Sequence, residues 1–461
     1  MEVCTVGGFE QAGKNMTAVK VGEDVFIFDM GLYIPGIVEL QEEHLLNYTE
    51  TRFKRGNKKH QGQYSEKKLR EFGAIPDDLI LDKLGWKDKV RAIFIGHAHL
   101  DHIGAVPYLA RRYPKATIYG SPFTMKFLEV VLEDERIKIH NPLKTIKLNS
   151  SISIQGKSGK YKVDFVGTTH SIPQCVFPAL HTKEGIFFYA LDLKFDNYPT
   201  LGKPPNYNKM RELGRKGVKV AIIDALYSGT ETKPGGERIA QHLLEDAISK
   251  MKGKNSAFFV TTFSSHIERL INIVKLAKKT KREIVFIGRS LAKNVEAASK
   301  INLWPFKGIR LIKYSKQRES FLRTLEKNRG KYFIVCTGHQ AEENSVLDRI
   351  VRGTLPFQFK SGDNLIFSSS VIPVPVNILA REKLDKKLRR IGVKIQTDVH
   401  VHGHGSREDM RELLEMIKPK HVIPAHGTLQ QETPFIELAS EFNYKFRETS
   451  HLSSNGKVLK F

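Results

Sequence analysis

The segment His97-Ala98-His99-Leu100-Asp101-His102 places three imidazoles and a carboxylate within six residues. It follows an apolar run, Val90–Gly96 (VRAIFIG), that reads as a buried strand. It precedes Ile103–Arg112 (IGAVPYLARR), whose apolar spacing predicts a helix. In a strand-to-helix turn, His97 and His99 can point the same way while Asp101 and His102 address a second, neighbouring point. Neutral imidazole nitrogens and carboxylate oxygens are the ligands that zinc accepts in catalytic sites. Two such groups side by side predict a centre of two metals. A lone histidine is usually an ordinary polar residue; four ligand-type groups at this spacing argue against a metal-free loop.

Further ligand-type residues recur at the ends of apolar runs. Tyr161–Gly167 (YKVDFVG) leads into Thr168-Thr169-His170, and Ile186–Ala190 (IFFYA) leads into Leu191-Asp192. His421–Pro424 (HVIP) enters Ala425-His426-Gly427. Val19–Gly31 is predicted as a hairpin turning at Gly22–Asp24, with Val25–Phe28 running into Asp29. That carboxylate could hold a neighbouring imidazole in one tautomer, the alternative being an Asx-turn at a strand end. Ligands gathered at strand ends on one rim are a common way for a sheet to build a site.

At 461 residues the chain exceeds one ordinary core. Val218–Asp224 (VKVAIID), Ala257–Thr262 (AFFVTT), Glu283–Gly288 (EIVFIG) and Tyr332–Thr337 (YFIVCT) are apolar strands, each followed by a helical stretch. This alternation predicts a parallel, doubly wound sheet, placed at residues 205–375 between parts 1–204 and 376–461. The hydroxyl-rich turn Ser368-Ser369-Ser370 closes that unit. In the last part, His400-Val401-His402-Gly403-His404-Gly405-Ser406 precedes a predicted helix, Arg407–Ile417. Gly403, Gly405 and Ser406 at a helix N-terminus can offer N–H groups and a hydroxyl to a phosphate, with simple capping as the alternative. Residues 36–88 form a polar, basic excursion with a helical patch near Ser65–Phe72.

Lys and Arg number 74 against 50 Asp and Glu, a formal charge of +24, which predicts a polyanionic partner such as nucleic acid. Part of the excess sits in Arg52–His60, Lys275–Arg282 and Arg381–Arg390, although any one cluster reads more readily as a solvated face. There is no apolar run of about 18 residues, and the N-terminus lacks a basic and then apolar leader. Cys4, Cys175 and Cys336 are scattered and odd in number, as for small core residues in a reducing compartment. A cytoplasmic location follows as the expectation.

The set His97-x-His99-x-Asp101-His102, His170, Asp192 and His426, with Asp29 upstream, resembles that of the metallo-β-lactamase superfamily. The unit inserted between Asp192 and His426 resembles the β-CASP domain of its nucleic-acid-processing members. Within that group the chain is similar to the ribonuclease J family in its compact archaeal form. The local matches are HAHLDHIGAVPYL, ALDLKFD, TTFSSHIERL, SSSVIPVPVN, HVHGHGSRED and KPKHVIPAHG. The resemblance implies an α/β fold, a metallo-β-lactamase αββα sandwich carrying a doubly wound β-CASP insert.

It further implies that His97, His99 and His170 hold one zinc, that Asp101, His102 and His426 hold a second, and that Asp192 bridges them. Asp29 becomes a support, and Mn²⁺ is the alternative metal. Asp224 matches the first acidic position of the β-CASP group and His404 the second. His426 matches the third, where His goes with RNA-acting members and Val with DNA-acting ones. Asp101, Asp224 and His404 are thus the catalytic candidates. Ser264, Ser265, His266, Ser369, Ser370 and the run His400 to Ser406 are the substrate-binding candidates. Two positions depart from the family pattern: His402 stands where Ser is usual, and Ala-Leu-Tyr follows Asp224 where Ser-Thr is common.

The expected activity is hydrolysis of single-stranded RNA from a 5′-monophosphate end, in the 5′→3′ direction, with His404 as general acid. A β-CASP endoribonuclease, a DNA-repair nuclease and a non-catalytic RNA-binding scaffold are the alternatives. Homodimerisation and contact with other RNA-decay proteins are further expectations.

Overall fold

The computed structural model describes residues 1–37, 64–371 and 375–461. Residues 38–63 of the excursion, with the cluster Arg52–His60, and residues 372–374 after the serine turn lie outside them.

Two sheets face each other. The first joins β1 (Glu2–Gly7), β2 (Met16–Val21), β3 (Asp24–Phe28), β4 (Val90–Phe94), β5 (Thr117–Gly120) and β6 (Leu143–Thr145), with the last strand of the chain, β19 (Lys457–Lys460), on the edge beside β1. Its first four members in space are antiparallel, and β3 to β6 run parallel. The second sheet joins β7 (Ser151–Gln155), β8 (Lys160–Gly167), β9 (Val176–Thr182), β10 (Gly185–Ala190), β11 (Val218–Asp224) and β18 (His421–Ala425). Phe26, Phe28 and Phe94 from one sheet pack against Phe165, Phe187 and Tyr189 from the other. The alternate residues Val25, Ile27 and Ile93 face outward, to a core shared with the helix Pro122–Glu135. Phe188 and Ala190 likewise face the helices Tyr207–Lys216 and Arg407–Ile417. Both faces of the central strands are buried, which is why β3, β4, β10 and β11 read as apolar runs.

The third sheet is wholly parallel, in the order β14 (Ile309–Ile312), β13 (Glu283–Ile287), β15 (Tyr332–Cys336), β12 (Phe258–Thr261), β16 (Asn364–Phe367), β17 (Lys394–Gln396). The result is the expected αββα sandwich with a doubly wound insert. Two strands fall on unexpected sides of the boundaries at 205 and 375. Val218–Asp224 pairs with β10 and β18 in the sandwich, and Lys394–Gln396 pairs with β16 in the insert. Both sheets contain parallel strands followed by helices, so an apolar run does not reveal which one it joins. The insert is seated on the sandwich by the helix Arg289–Lys300, where Lys293 Nζ lies 2.6 Å from Asp134 Oδ2 of the helix Pro122–Glu135.

Ser65 caps the helix Glu66–Glu71, its Oγ accepting from Lys68 N at 3.2 Å. The helix expected over 103–112 is broken into short turns, Leu100–Ile103 and Val106–Leu109, with Pro107 at the start of the second. All three cysteines are buried and free. Among the described residues, no helix is long and apolar enough to cross a membrane.

Candidate metal centre and RNA-processing site

The C-terminal ends of β3, β4, β8, β10, β11 and β18 open on one edge of the sandwich and deliver Asp29, His97, His170, Asp192, Asp224 and His426 in that order. Three of these turn the backbone sharply: Asp29, Asp192 and His426 have φ of 59°, 57° and 68°. Left-handed backbone at non-glycine residues is costly and persists where surrounding contacts enforce it. Here His426 N donates to Gly8 O at 2.6 Å and Asp29 N to Phe94 O at 2.8 Å. Gly31 is required for another reason, since a Cβ there would lie 1.6 Å from Asp101 O.

The imidazoles divide about one carboxylate. Asp192 Oδ2 lies 3.2 Å from His97 Nε2, 3.1 Å from His170 Nε2 and 3.8 Å from His99 Nδ1. Asp192 Oδ1 lies 3.1 Å from His102 Nε2 and 3.6 Å from His426 Nε2. Asp101 Oδ2 completes the second group, 3.5 Å from His102 Nε2 and 3.7 Å from His426 Nε2. His97, His99, His170 and Asp192 can therefore surround one ion, and Asp101, His102, Asp192 and His426 another.

The chemistry of these groups fits divalent cations. Asp192 is 2% exposed, and its Oδ1 has no hydrogen-bond partner among the described residues. A buried carboxylate oxygen left so is costly unless a cation meets it. Nitrogen and carboxylate ligands without thiolate suit Zn²⁺ and also admit Mn²⁺. Burial pushes the imidazole of His170 down to about 3 and that of His97 well below its ordinary value, leaving both neutral, the form that ligates. Burial acts the same way on His102, but Asp192, Asp29 and Asp101 outweigh it and raise that group.

Outer contacts orient the rings. Asp29 Oδ2 lies 2.6 Å from His102 Nδ1, while its Oδ1 accepts from Gly96 N at 2.8 Å. His170 Nδ1 lies 2.7 Å from Gly403 O, and His99 Nε2 lies 3.1 Å from Ser265 Oγ of the insert. Asn15 escaped the sequence reading. Its side-chain amide is buried, 3.1 Å from His102 Nε2 and 2.9 Å from His426 Nδ1, and donates to Asp101 O at 3.0 Å. An asparagine before β2 carries no periodic signal that would single it out.

His404 Nδ1 sits 2.9 Å from Asp224 Oδ2, and the ring stacks on His426 with centroids 5.4 Å apart. Burial disfavours its charged form, but Asp192 and Asp224 prevail and lift the group to about 9. Tyr227, in the Ala-Leu-Tyr departure, lies between His402 and His404, with ring centroids 5.2 and 5.9 Å away.

The other expected contacts divide. Ser264 and Ser265 are partly exposed, with Ser265 lying against His99; His402 is exposed. Ser369 Oγ is buried without a hydrogen-bond partner among the described residues, and Ser370 O accepts from Gln340 Nε2 at 2.7 Å. Four candidates sit inside the protein. Gly405 N donates to Leu193 O at 2.5 Å, and Ser406 N donates to Asp409 Oδ2 at 3.0 Å within a capping box. Val401 is buried, and His266 is buried with Nε2 3.3 Å from Glu237 Oε2. The capping alternative therefore describes Ser406.

Fold and site together define a metal-dependent hydrolase of the metallo-β-lactamase superfamily with a β-CASP insert. Residues 14–162 match the metallo-beta-lactamase superfamily, residues 255–382 match "Ribonuclease J, beta-CASP domain", and residues 390–447 match "Zn-dependent metallo-hydrolase RNA specificity domain". The chain belongs to the ribonuclease J family. It is 37% identical to ribonuclease J of Pyrococcus abyssi over 100% of this chain and 97% of that protein. It is 35% identical to ribonuclease J of Methanocaldococcus jannaschii over 100% and 99%. Ribonuclease J 1 of Streptococcus pyogenes is 28% identical over 99% of this chain and 74% of its own length. A crystal structure of a protein of unknown function from Enterococcus faecalis V583 shares the fold, with a TM-score of 0.63 over 99% of both chains at 16% identity.

Proposed function

We propose that this chain is a zinc-dependent 5′→3′ exoribonuclease that prefers 5′-monophosphate ends of single-stranded RNA. The observation that carries the metal chemistry is the division of Asp192, one oxygen toward His97, His99 and His170 and the other toward His102 and His426. When bound there, two divalent ions lower the pKa of a water toward neutrality and offset charge on the scissile phosphate.

The chain's own residues supply the rest. Asp192 holds the two halves in register, and Asp29 and Asn15 fix the rings of His102 and His426. His404, held by Asp224 at Nδ1 with its ring beside His170 and His426, donates a proton to the departing 3′ oxygen. Asp224 is itself fixed by Leu193 N at 3.2 Å and Leu226 N at 2.9 Å. Support for recognition of a terminal group comes from the loop of His400 to His404, which joins the serine turn through Ser368 Oγ donating to Val399 O at 3.0 Å. Phosphate binding by this end wall, one nucleotide beyond the cut, sets the direction.

The test uses 3′-labelled RNAs that differ only in a 5′-monophosphate or 5′-hydroxyl, beside a circular RNA, with Zn²⁺ or Mn²⁺ added. Mononucleotide release, faster from the monophosphate, with the circle intact, is expected. Equal rates without mononucleotides would overturn the direction. Cleavage of the circle would make the enzyme an endoribonuclease, and preference for DNA a repair nuclease.

A further inference from the structure

The loop that carries His404 is fastened at successive points to different parts of the molecule. His402 O accepts from Lys194 Nζ at 2.6 Å, Gly403 O meets His170 Nδ1, His404 meets Asp224, and Gly405 N donates to Leu193 O. A further fastening, at His400, comes from the insert. Arg269, in the helix Ile267–Ala277, is fully buried. Its Nε and Nη2 donate to Glu237 Oε1 and Oε2 at 2.6 and 2.8 Å. Its Nη1 reaches Ser368 Oγ at 2.9 Å, Val399 O at 3.4 Å and His400 Nδ1 at 3.3 Å.

The chemistry of that last contact is one-sided. A guanidinium has only donors, so the nitrogen of His400 that faces it must accept. The ring proton is then on Nε2, and the imidazole is neutral. We propose that Arg269 is a positioning residue for the RNA end: it holds His400 as the Nε2–H tautomer, a donor to phosphate oxygen, and pins the serine turn to the same loop. A lysine cannot make these contacts together, because its single nitrogen lacks the fork that serves Glu237, Ser368 and His400 at once. The role rests on the 5′-end recognition proposed above.

The test measures kcat and KM for wild type, Arg269→Lys, His400→Ala and the double variant on RNAs differing only in the 5′ group, with metal content and melting followed in parallel. Arg269→Lys is expected to lower the monophosphate-to-hydroxyl ratio of kcat/KM by about tenfold, the loss of one charge-assisted hydrogen bond. The loss falls on KM for the monophosphate RNA, with kcat and bound metal unchanged. On the His400→Ala background it should add nothing. Equal losses on both RNAs, or losses that add across the two residues, would overturn the role in favour of mere packing. A wild-type ratio of one would remove end recognition itself, and this role with it. Should Arg269→Lys lose its cooperative melt, Arg269→Met with Glu237→Gln, which buries no lone charge, carries the same expected ratio.

Discussion

Asp224 Oδ2 stands 2.9 Å from His404 Nδ1, and the imidazole it holds stacks on His426 while meeting His170 edge-on at 4.9 Å. One ring thus touches a ligand-type residue of each metal group. His404→Ala is expected to lower kcat by about 10²–10⁴-fold, the usual contribution of a positioned acid, with RNA affinity retained. Asp224→Asn should lower kcat less and move the alkaline limb of the rate profile to lower pH, since Asp224 helps to keep the ring protonated. Steady-state kinetics from pH 6 to 10 against RNA binding check both, at pH values of about that range. Full activity in both variants would refute the pairing.

Asn15 should matter to one half of the centre. Removing a group that orients a ligand typically costs about 10–100-fold in metal affinity. Asn15→Ala is expected to weaken one of two bound metals by that factor and spare the other, because among the described residues its side chain hydrogen-bonds to Asp101, His102 and His426, all of the second group. Metal content after dialysis against graded chelator reads the two sites separately. Equal loss from both would contradict the division.

Metal removal should destabilise the fold. Ligand binding to the native state alone contributes about 4 kcal/mol at a free concentration of 1,000 Kd, and each kcal/mol shifts Tm by roughly 2–4 °C in domains of this size. Chelation should lower Tm, and Zn²⁺ should restore it. Asp192→Asn, which disturbs both groups, should melt low and respond little to added zinc.

Glu268 offers a pH test away from the metals. Burial, with Glu237 beside it, lifts its carboxyl to about 7, against donation from Thr200 N and Leu201 N. Its folded value lies above the unfolded one of about 4.3, so the fold binds this proton more tightly. The associated stability is complete below the unfolded value and is lost as pH rises through about 7. Glu268→Gln should flatten that fall, seen in chemical denaturation at a series of pH values; an unchanged slope would exclude the assignment.

The metal groups were legible because they stand at ends of apolar runs, where residue type and strand position agree. His97, His99, His170, Asp192 and His426 are all of this kind. Asn15, Lys194, Tyr227 and Arg269 were not. Each is an ordinary polar or aromatic residue, and what distinguishes it is a partner up to 411 residues away, as for Asn15 and His426. For Gly405 and Ser406, before the helix Arg407–Ile417, the sequence leaves capping and phosphate binding open, since both use the same residue types.

By itself, then, the sequence determined the chemistry of the centre, the sandwich with its doubly wound insert, and a basic surface suited to a polyanion. Local spacing and side-chain type suffice for these. Only the tertiary structure decided that Asp192 divides its oxygens between two groups, that Val218–Asp224 belongs to the sandwich, and that Arg269 reaches His400. Such facts depend on which sheet edge accepts a strand and which buried donor finds an acceptor. Both are settled by packing among segments far apart in the chain.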